Sequence, residues 1–119
     1  MQSRGYTQEQ AEALYVAAGN RQHEKLTQLI ARGIPANVWV DRHKTTPLHV
    51  AVRLRDTRSV QVLLENGADK TVKDEEQKTA IDVNKDYSDE SIFNLLNPEI
   101  ALENARINND IDEIKNRYS

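Results

Sequence analysis

The phrase TTPLHVAV at residues 45–52 returns in altered form as KTAIDVNK from Lys78, placing Thr46 and Thr79 33 residues apart. Self-similarity at that period marks a repeat array, in which a small unit buries its apolar face by stacking on its neighbours. This constrains the fold more than composition does, and composition agrees with it. The 119 residues suffice for one domain. With 38% hydrophobic but only 5% aromatic residues, one Trp and one Phe among them, the core must come from small aliphatic side chains rather than from the filling of a sandwich or barrel.

Within the best-formed unit, two apolar faces recur at helical spacing: Leu48, Ala51 and Val52, then Val60, Leu63 and Leu64. Thr46 before Pro47 is a helix start, a hydroxyl N-cap followed by proline at the first helical position. Gly67 ends the second helix. Two short antiparallel helices with a turn cannot bury their own apolar faces, so the unit must stack.

These residues resemble the ankyrin repeat. The T-P-L-H-x-A helix start stands intact as Thr46, Pro47, Leu48, His49, Val50 and Ala51, and the second helix with its Gly-Ala-Asp ending is matched from Val60 to Asp69. Upstream, Leu14 to Ala18 aligns with Leu48 to Val52, and Leu26, Leu29, Ile30 and Gly33 align with Val60, Leu63, Leu64 and Gly67, at an offset of 34. The extra residue is expected in the connection 34–45, beside Trp39. This first unit has its own start signal, a capping box from Thr7 to Gln10 with Tyr6 placed to staple onto the first turn. Downstream the motif degenerates: Asp82 replaces the histidine and Asn84 the alanine, and Ser88 before Asp89 and Glu90 reads as the N-cap of the next helix. A last helix pair from Pro98 to Tyr118 lacks the hairpin ahead of it. The resemblance implies an all-α ankyrin-repeat solenoid of stacked antiparallel helix pairs with short β-hairpin loops. It forms a single domain over 1–119, with repeats at about 7–40, 41–73, 74–97 and 98–118. Polar outer faces, with Arg21, Glu24, Lys25, Thr27 and Gln28 on one end and Asn116 and Arg117 on the other, are those of terminal caps.

Catalytic chemistry finds no foothold. There is no cysteine, which removes disulfides, thiolate metal sites and thiol nucleophiles. The serines fall in ends, caps or helix surfaces, and His23, His43 and His49 lack metal-ligand spacing. Glu75-Glu76 and Asp89-Glu90 are paired carboxylates with no apolar wall to raise a pKa. Four glycines cannot build a phosphate loop. No cofactor, metal or catalytic residue is expected, and the chain reads as a non-enzyme. The resemblance gives His49 a structural role, tying neighbouring loops by hydrogen bonds. No apolar run is long enough for a membrane span or a secretory signal, and the absence of cysteine fits a reducing compartment. The expected location is cytoplasmic, or a host cell into which the protein is delivered.

The net charge of −3 conceals a polarity. Residues 1–60 carry nine Lys and Arg against five Asp and Glu, whereas residues 61–119 carry seven against fourteen. Such a dipole can orient an incoming partner. Arg53, Arg55 and Arg58, with Arg42 and Lys44, form a basic patch. Overall acidity and the lack of interleaved aromatics argue against nucleic acid there.

The ankyrin resemblance implies a protein partner bound in a concave groove of hairpin tips and first-helix ends. Carried onto this sequence, the groove takes Trp39, Val40, Arg42, His43 and Lys44 from the first hairpin, and Lys73, Glu75, Glu76 and Lys78 from the second. Asn20, Arg53, Leu54, Arg55, Asp86 and Tyr87 come from the helix ends. Trp, Tyr and Arg dominate interface energetics. Trp39 and Tyr87 each have two readings, exposed anchor or core filler. The expected role is a monomeric interaction module. Two alternatives stand beside it: a stoichiometric inhibitor or immunity-type regulator of an enzyme, and a recruiting fragment of a larger protein.

Overall fold

Three threonines start three helices by the same device. Thr7, Thr46 and Thr79 hold extended backbone, and each hydroxyl accepts the N–H three residues on, from Gln10, His49 and Asp82, at 3.1, 3.3 and 3.2 Å. Gln10 and Asp82 return the bond to the threonine N–H, closing two capping boxes. Asp82 thus trades the histidine's role for that of a cap. In the computed structural model, which describes residues 5–99, these starts open α1 (Gln8–Gly19), α3 (Pro47–Arg53) and α5 (Ala80–Tyr87).

Each is followed by a returning helix: α2 (His23–Ala31), α4 (Thr57–Glu65) and α6 (Glu90–Leu96). The odd-numbered helices pack side by side as one layer and the even-numbered as another, with each pair closed on itself. The result is an all-α stack of three antiparallel helix pairs. Asp89 rather than Ser88 is the N-cap of α6, accepting the Ile92 N–H at 3.1 Å. Ser88 belongs to the turn before it, in left-handed backbone. The last expected helix pair lies outside the described residues from Ile100 on.

The turns repeat as faithfully as the helices. The turn within each pair passes through a left-handed residue, Arg21, Arg55 and Ser88, with φ of 56, 55 and 53°. Both hairpin tips do likewise, at Lys44 (51°) and Gln77 (63°). A side chain there costs roughly 1 kcal/mol per position relative to ordinary backbone, so the stacking must impose the geometry. Gly33 and Gly67, at 107 and 94°, close α2 and α4 in backbone that glycine adopts freely.

Two hairpins project ahead of α3 and α5. In the first, the Val40 N–H donates to the Thr45 carbonyl at 2.9 Å; in the second, the Asp74 N–H donates to that of Lys78 at 2.9 Å. Four residues separate the first pair and three the second, so the extra residue lies in the tip 41–44, past Trp39 and not beside it.

The core is aliphatic, as composition requires. Leu14, Leu26, Leu48, Leu63, Ile92 and Leu96 are the largest fully buried apolar side chains, filled in by Ala17, Ala18, Ala51, Val52, Val60 and Ala80. Among the buried polar residues, one takes the place of a core alanine. Asn84 stands in the register of Ala17 and Ala51 and is buried; its Nδ2 donates to the Asp89 carbonyl at 3.0 Å, while its Oδ1 has no partner among the described residues.

Candidate partner-binding groove

The first hairpin is fastened from both sides before it can present a surface. Gln8, at the start of α1, lays its carboxamide along the strand edge: Nε2 donates to the Trp39 carbonyl at 3.1 Å, and Oε1 accepts the Asp41 N–H at 2.9 Å. The Tyr6 hydroxyl accepts the Trp39 N–H at 2.8 Å. A side chain thereby occupies the pairing groups of an open strand edge. On the other side, the Glu75 N–H of the second hairpin donates to the Lys44 carbonyl at 3.0 Å. Trp39 ends half-buried, between its two sequence readings.

Val40 leaves the predicted surface. Its side chain is fully buried in the core, because alternation along the short strand turns it inward next to Trp39. The tip residues Arg42, His43 and Lys44 are exposed. The His43 ring stacks on that of Tyr15, with centroids 4.4 Å apart and planes inclined by 12°. Tyr15 occupies in α1 the register that His49 holds in α3, and both reach the following hairpin, one by stacking and the other by hydrogen bonding.

His49 is buried and makes two side-chain bonds. Its Nδ1 lies 2.7 Å from the Thr46 hydroxyl and its Nε2 2.8 Å from the Lys78 carbonyl. A carbonyl only accepts, so Nε2 carries the proton and Nδ1 accepts from Thr46. Burial holds its pKa below 6.5, against the opposing pull of the Lys78 carbonyl. The imidazole is therefore a neutral tie between α3 and the second hairpin, with no free nitrogen for catalysis.

Asp74 organises that hairpin from within. Its Oδ1 accepts the N–H groups of Glu76 (2.9 Å) and Lys78 (3.0 Å), while Oδ2 accepts from Arg53 at 3.1 Å. The carboxylate is almost fully buried, and Arg53 remains half-exposed above it. Next to it, Lys44 and Glu75 face each other at 3.6 Å, both largely solvated. Lys78 pairs with Asp86 at 2.9 Å and with Glu76 at 3.9 Å, and the hydrogen bond to Asp86 raises its pKa. At the far rim, Arg55 donates to the Tyr87 carbonyl at 3.3 Å and lies 5.4 Å from the Tyr87 ring centroid. Tyr87 is 39% exposed. Leu54 is half-buried.

Fourteen of the fifteen predicted residues thus reach the surface at least in part, and six of them take part in ion pairs: Lys44, Arg53, Glu75, Glu76, Lys78 and Asp86. Arg58 is separate: it lies on α4 in the second helix layer, lining a shallow hollow with Thr57, Gln61, Val62 and Glu65. Sequence reasoning overlooked Tyr15 and Asp74. Tyr15 was legible from its alignment with His49, whereas nothing local marks Asp74 as the hub of a hairpin. Among the described residues no three His, Asp or Glu side chains converge as a metal site would require, and no helix is long and apolar enough to cross a membrane.

Comparison with known proteins agrees with the stacked pairs and their hairpins. A profile described as ankyrin repeats, three copies, matches residues 2–74. The chain belongs to the ankyrin repeat family. It is similar to ankyrin repeat and SOCS box protein 11 of Danio rerio, with 38% identity over 84 residues, covering 71% of the chain and 27% of that protein. It is also similar to protein HOS4 of Saccharomyces cerevisiae, with 38% identity over 89 residues, covering 73% of the chain and 8% of that protein. The chain therefore spans about a quarter or less of the length of these relatives. Ankyrin repeats are, in general, non-enzymatic modules of protein–protein interaction.

Proposed function

We propose that this ankyrin stack is one monomeric intracellular domain that holds a partner protein across its hairpin tips and first-helix ends. The surface comprises Trp39, Arg42, His43, Lys44, Arg53, Leu54, Arg55, Glu75, Glu76, Asp86 and Tyr87. The observation that carries this reading is the cross-linking of successive units at the same face. Lys44 meets Glu75, Arg53 meets Asp74, and Arg55 meets Tyr87. A partner spanning two units then meets a surface whose side chains are already positioned, which lowers the ordering cost of binding.

The test is affinity capture from the native source followed by mass spectrometry, comparing the wild type with a Trp39→Ala, Arg55→Glu double variant. Circular dichroism confirms beforehand that the variant is folded. A partner enriched by the wild type and lost with the variant is the expected result. Retention of every specific interaction by the folded variant overturns the surface.

A further inference from the structure

The charges of the groove are unevenly balanced. Arg21 and Arg55 spend their guanidinium bonds on neutral carbonyls, of Leu54 at 2.9 Å and Tyr87 at 3.3 Å, and neither meets a carboxylate among the described residues. Arg42 is exposed at the hairpin tip, and Lys44, 3.6 Å from Glu75, is largely solvated, so the pair leaves it open to a further carboxylate. One unit further along the stack the balance changes. Lys78 is engaged by Asp86 and Glu76, so carboxylates there match or outnumber the cations.

We infer that the first groove, from Arg42 and Lys44 at the hairpin tip to Arg55 in the turn after α3, docks a short acidic segment of a partner protein. The proposal rests on the groove reading above and adds the partner's chemistry. Complementary charge favours this occupant, because carboxylates on an extended chain can accept from guanidinium groups that the fold leaves only partly used. The Tyr15–His43 stack beside Arg42 offers an aromatic floor for an apolar residue within the same segment. A nucleic acid fits less well. Its continuous phosphate charge would run on from the first groove into Glu75, Glu76 and Asp86.

Panning a charge-unbiased library of linear peptides against the whole chain tests this. Enriched peptides should be acidic, and a representative should bind at least tenfold more weakly to an Arg42→Gln, Lys44→Gln variant. A Lys25→Gln, Arg58→Gln control removes the same charge from the second helix layer and should change affinity less than threefold. Circular dichroism of both variants excludes unfolding as the cause. Failure to enrich, neutral or basic enriched pools, or equal weakening by both variants would each overturn the acidic-segment proposal. So would a single-stranded RNA homopolymer that binds and displaces the peptide. If the native partner is nonetheless lost on Trp39→Ala, Arg55→Glu substitution, the groove stands and only the partner's chemistry falls.

Discussion

The two joints of the stack share a backbone plan and differ in their polar chemistry. Where α1–α2 meets α3–α4, the anchor is a carboxylate in the second helix layer. Asp56 caps α4, accepts from Ser59 through N–H (3.4 Å) and Oγ (2.7 Å), and takes His23 Nε2 on both oxygens at 2.8 and 2.7 Å. Where α3–α4 meets α5–α6, the anchor is the neutral imidazole of His49 in the first helix layer. Thr57 stands there in the register of His23 and Ile92 in that of Ser59, so Asp89 keeps its cap without the clasp. Lys70 instead reaches across to the Leu96 carbonyl at 2.6 Å. Identical stacking geometry therefore leaves open which polar group fastens it, and each choice carries its own vulnerability.

Removing the clasp should have the largest effect. Asp56→Ala deletes a helix cap and leaves Ser59 and His23 facing a void, with an expected loss of about 2–3 kcal/mol. Urea denaturation would measure it, and Asp89→Ala, which removes a cap alone, should cost only about 1 kcal/mol. Equal losses would mean that His23 adds nothing to the first joint.

Acid should separate the joints next. Burial alone would raise the Asp56 carboxyl, but hydrogen bonds from Ser59 and His23 outweigh it and hold the pKa below 3.8. The unfolded chain then takes up that proton first, so the contribution of Asp56 is present above about 3.8 and disappears as pH falls through the lower folded value. His49 behaves as a base with a depressed pKa. The unfolded chain protonates it near 6.5 while the folded chain keeps it neutral, so stability declines as pH falls from 6.5 toward the folded value. Denaturation midpoints across pH 7 to 5 should therefore drop in the wild type and flatten in His49→Gln, whereas Asp56→Asn should change only the acid end. A wild-type slope over pH 7 to 5 that survives His49→Gln would refute the assignment.

How much of this the sequence displayed depends on the range of each interaction. The caps at Thr7, Thr46 and Thr79 are bonds across three residues, and the spacing of side chain types announces them. The tie from His49 was legible because its whole motif is intact. The clasp between His23 and Asp56, the Gln8 carboxamide on the Trp39 strand and the reach of Arg21 to Leu54 are contacts between neighbouring units, 31 to 33 residues apart. In a solenoid each unit touches only the next, so the partner of a polar residue lies about one period away. Adding that period to His23 gives Asp56, a step that the sequence permits but local patterns do not suggest. Val40 was misplaced for a simpler reason: hairpin residues alternate, and one neighbour of an exposed tip must face the core.

The smallest effects would come from making the third unit resemble the first two. Asn84→Ala restores the residue found at Ala17 and Ala51. It gives up one bond to the Asp89 carbonyl and removes a buried acceptor that has no partner among the described residues. A buried polar atom left unpaired costs more than a typical bond returns, so the balance should favour alanine by up to about 1 kcal/mol. Ser88→Gly removes a side chain from left-handed backbone at φ 53°, where Ser88 Oγ offers the Lys85 carbonyl only a long contact of 3.5 Å. Glycine releases the conformational cost in the folded chain while adding freedom to the unfolded one, leaving an expected gain of about 0.5 kcal/mol. Hydrogen exchange over α5 and α6 reads both substitutions locally. Protection there should rise with each, and more with Asn84→Ala, while α1 to α4 stay as they were. If Arg55→Gly, at the equivalent turn, stabilised as much as Ser88→Gly, the bonds that Arg55 makes to Tyr87 would count for nothing, and the second joint would rest on His49, Asp74 and Lys70 alone.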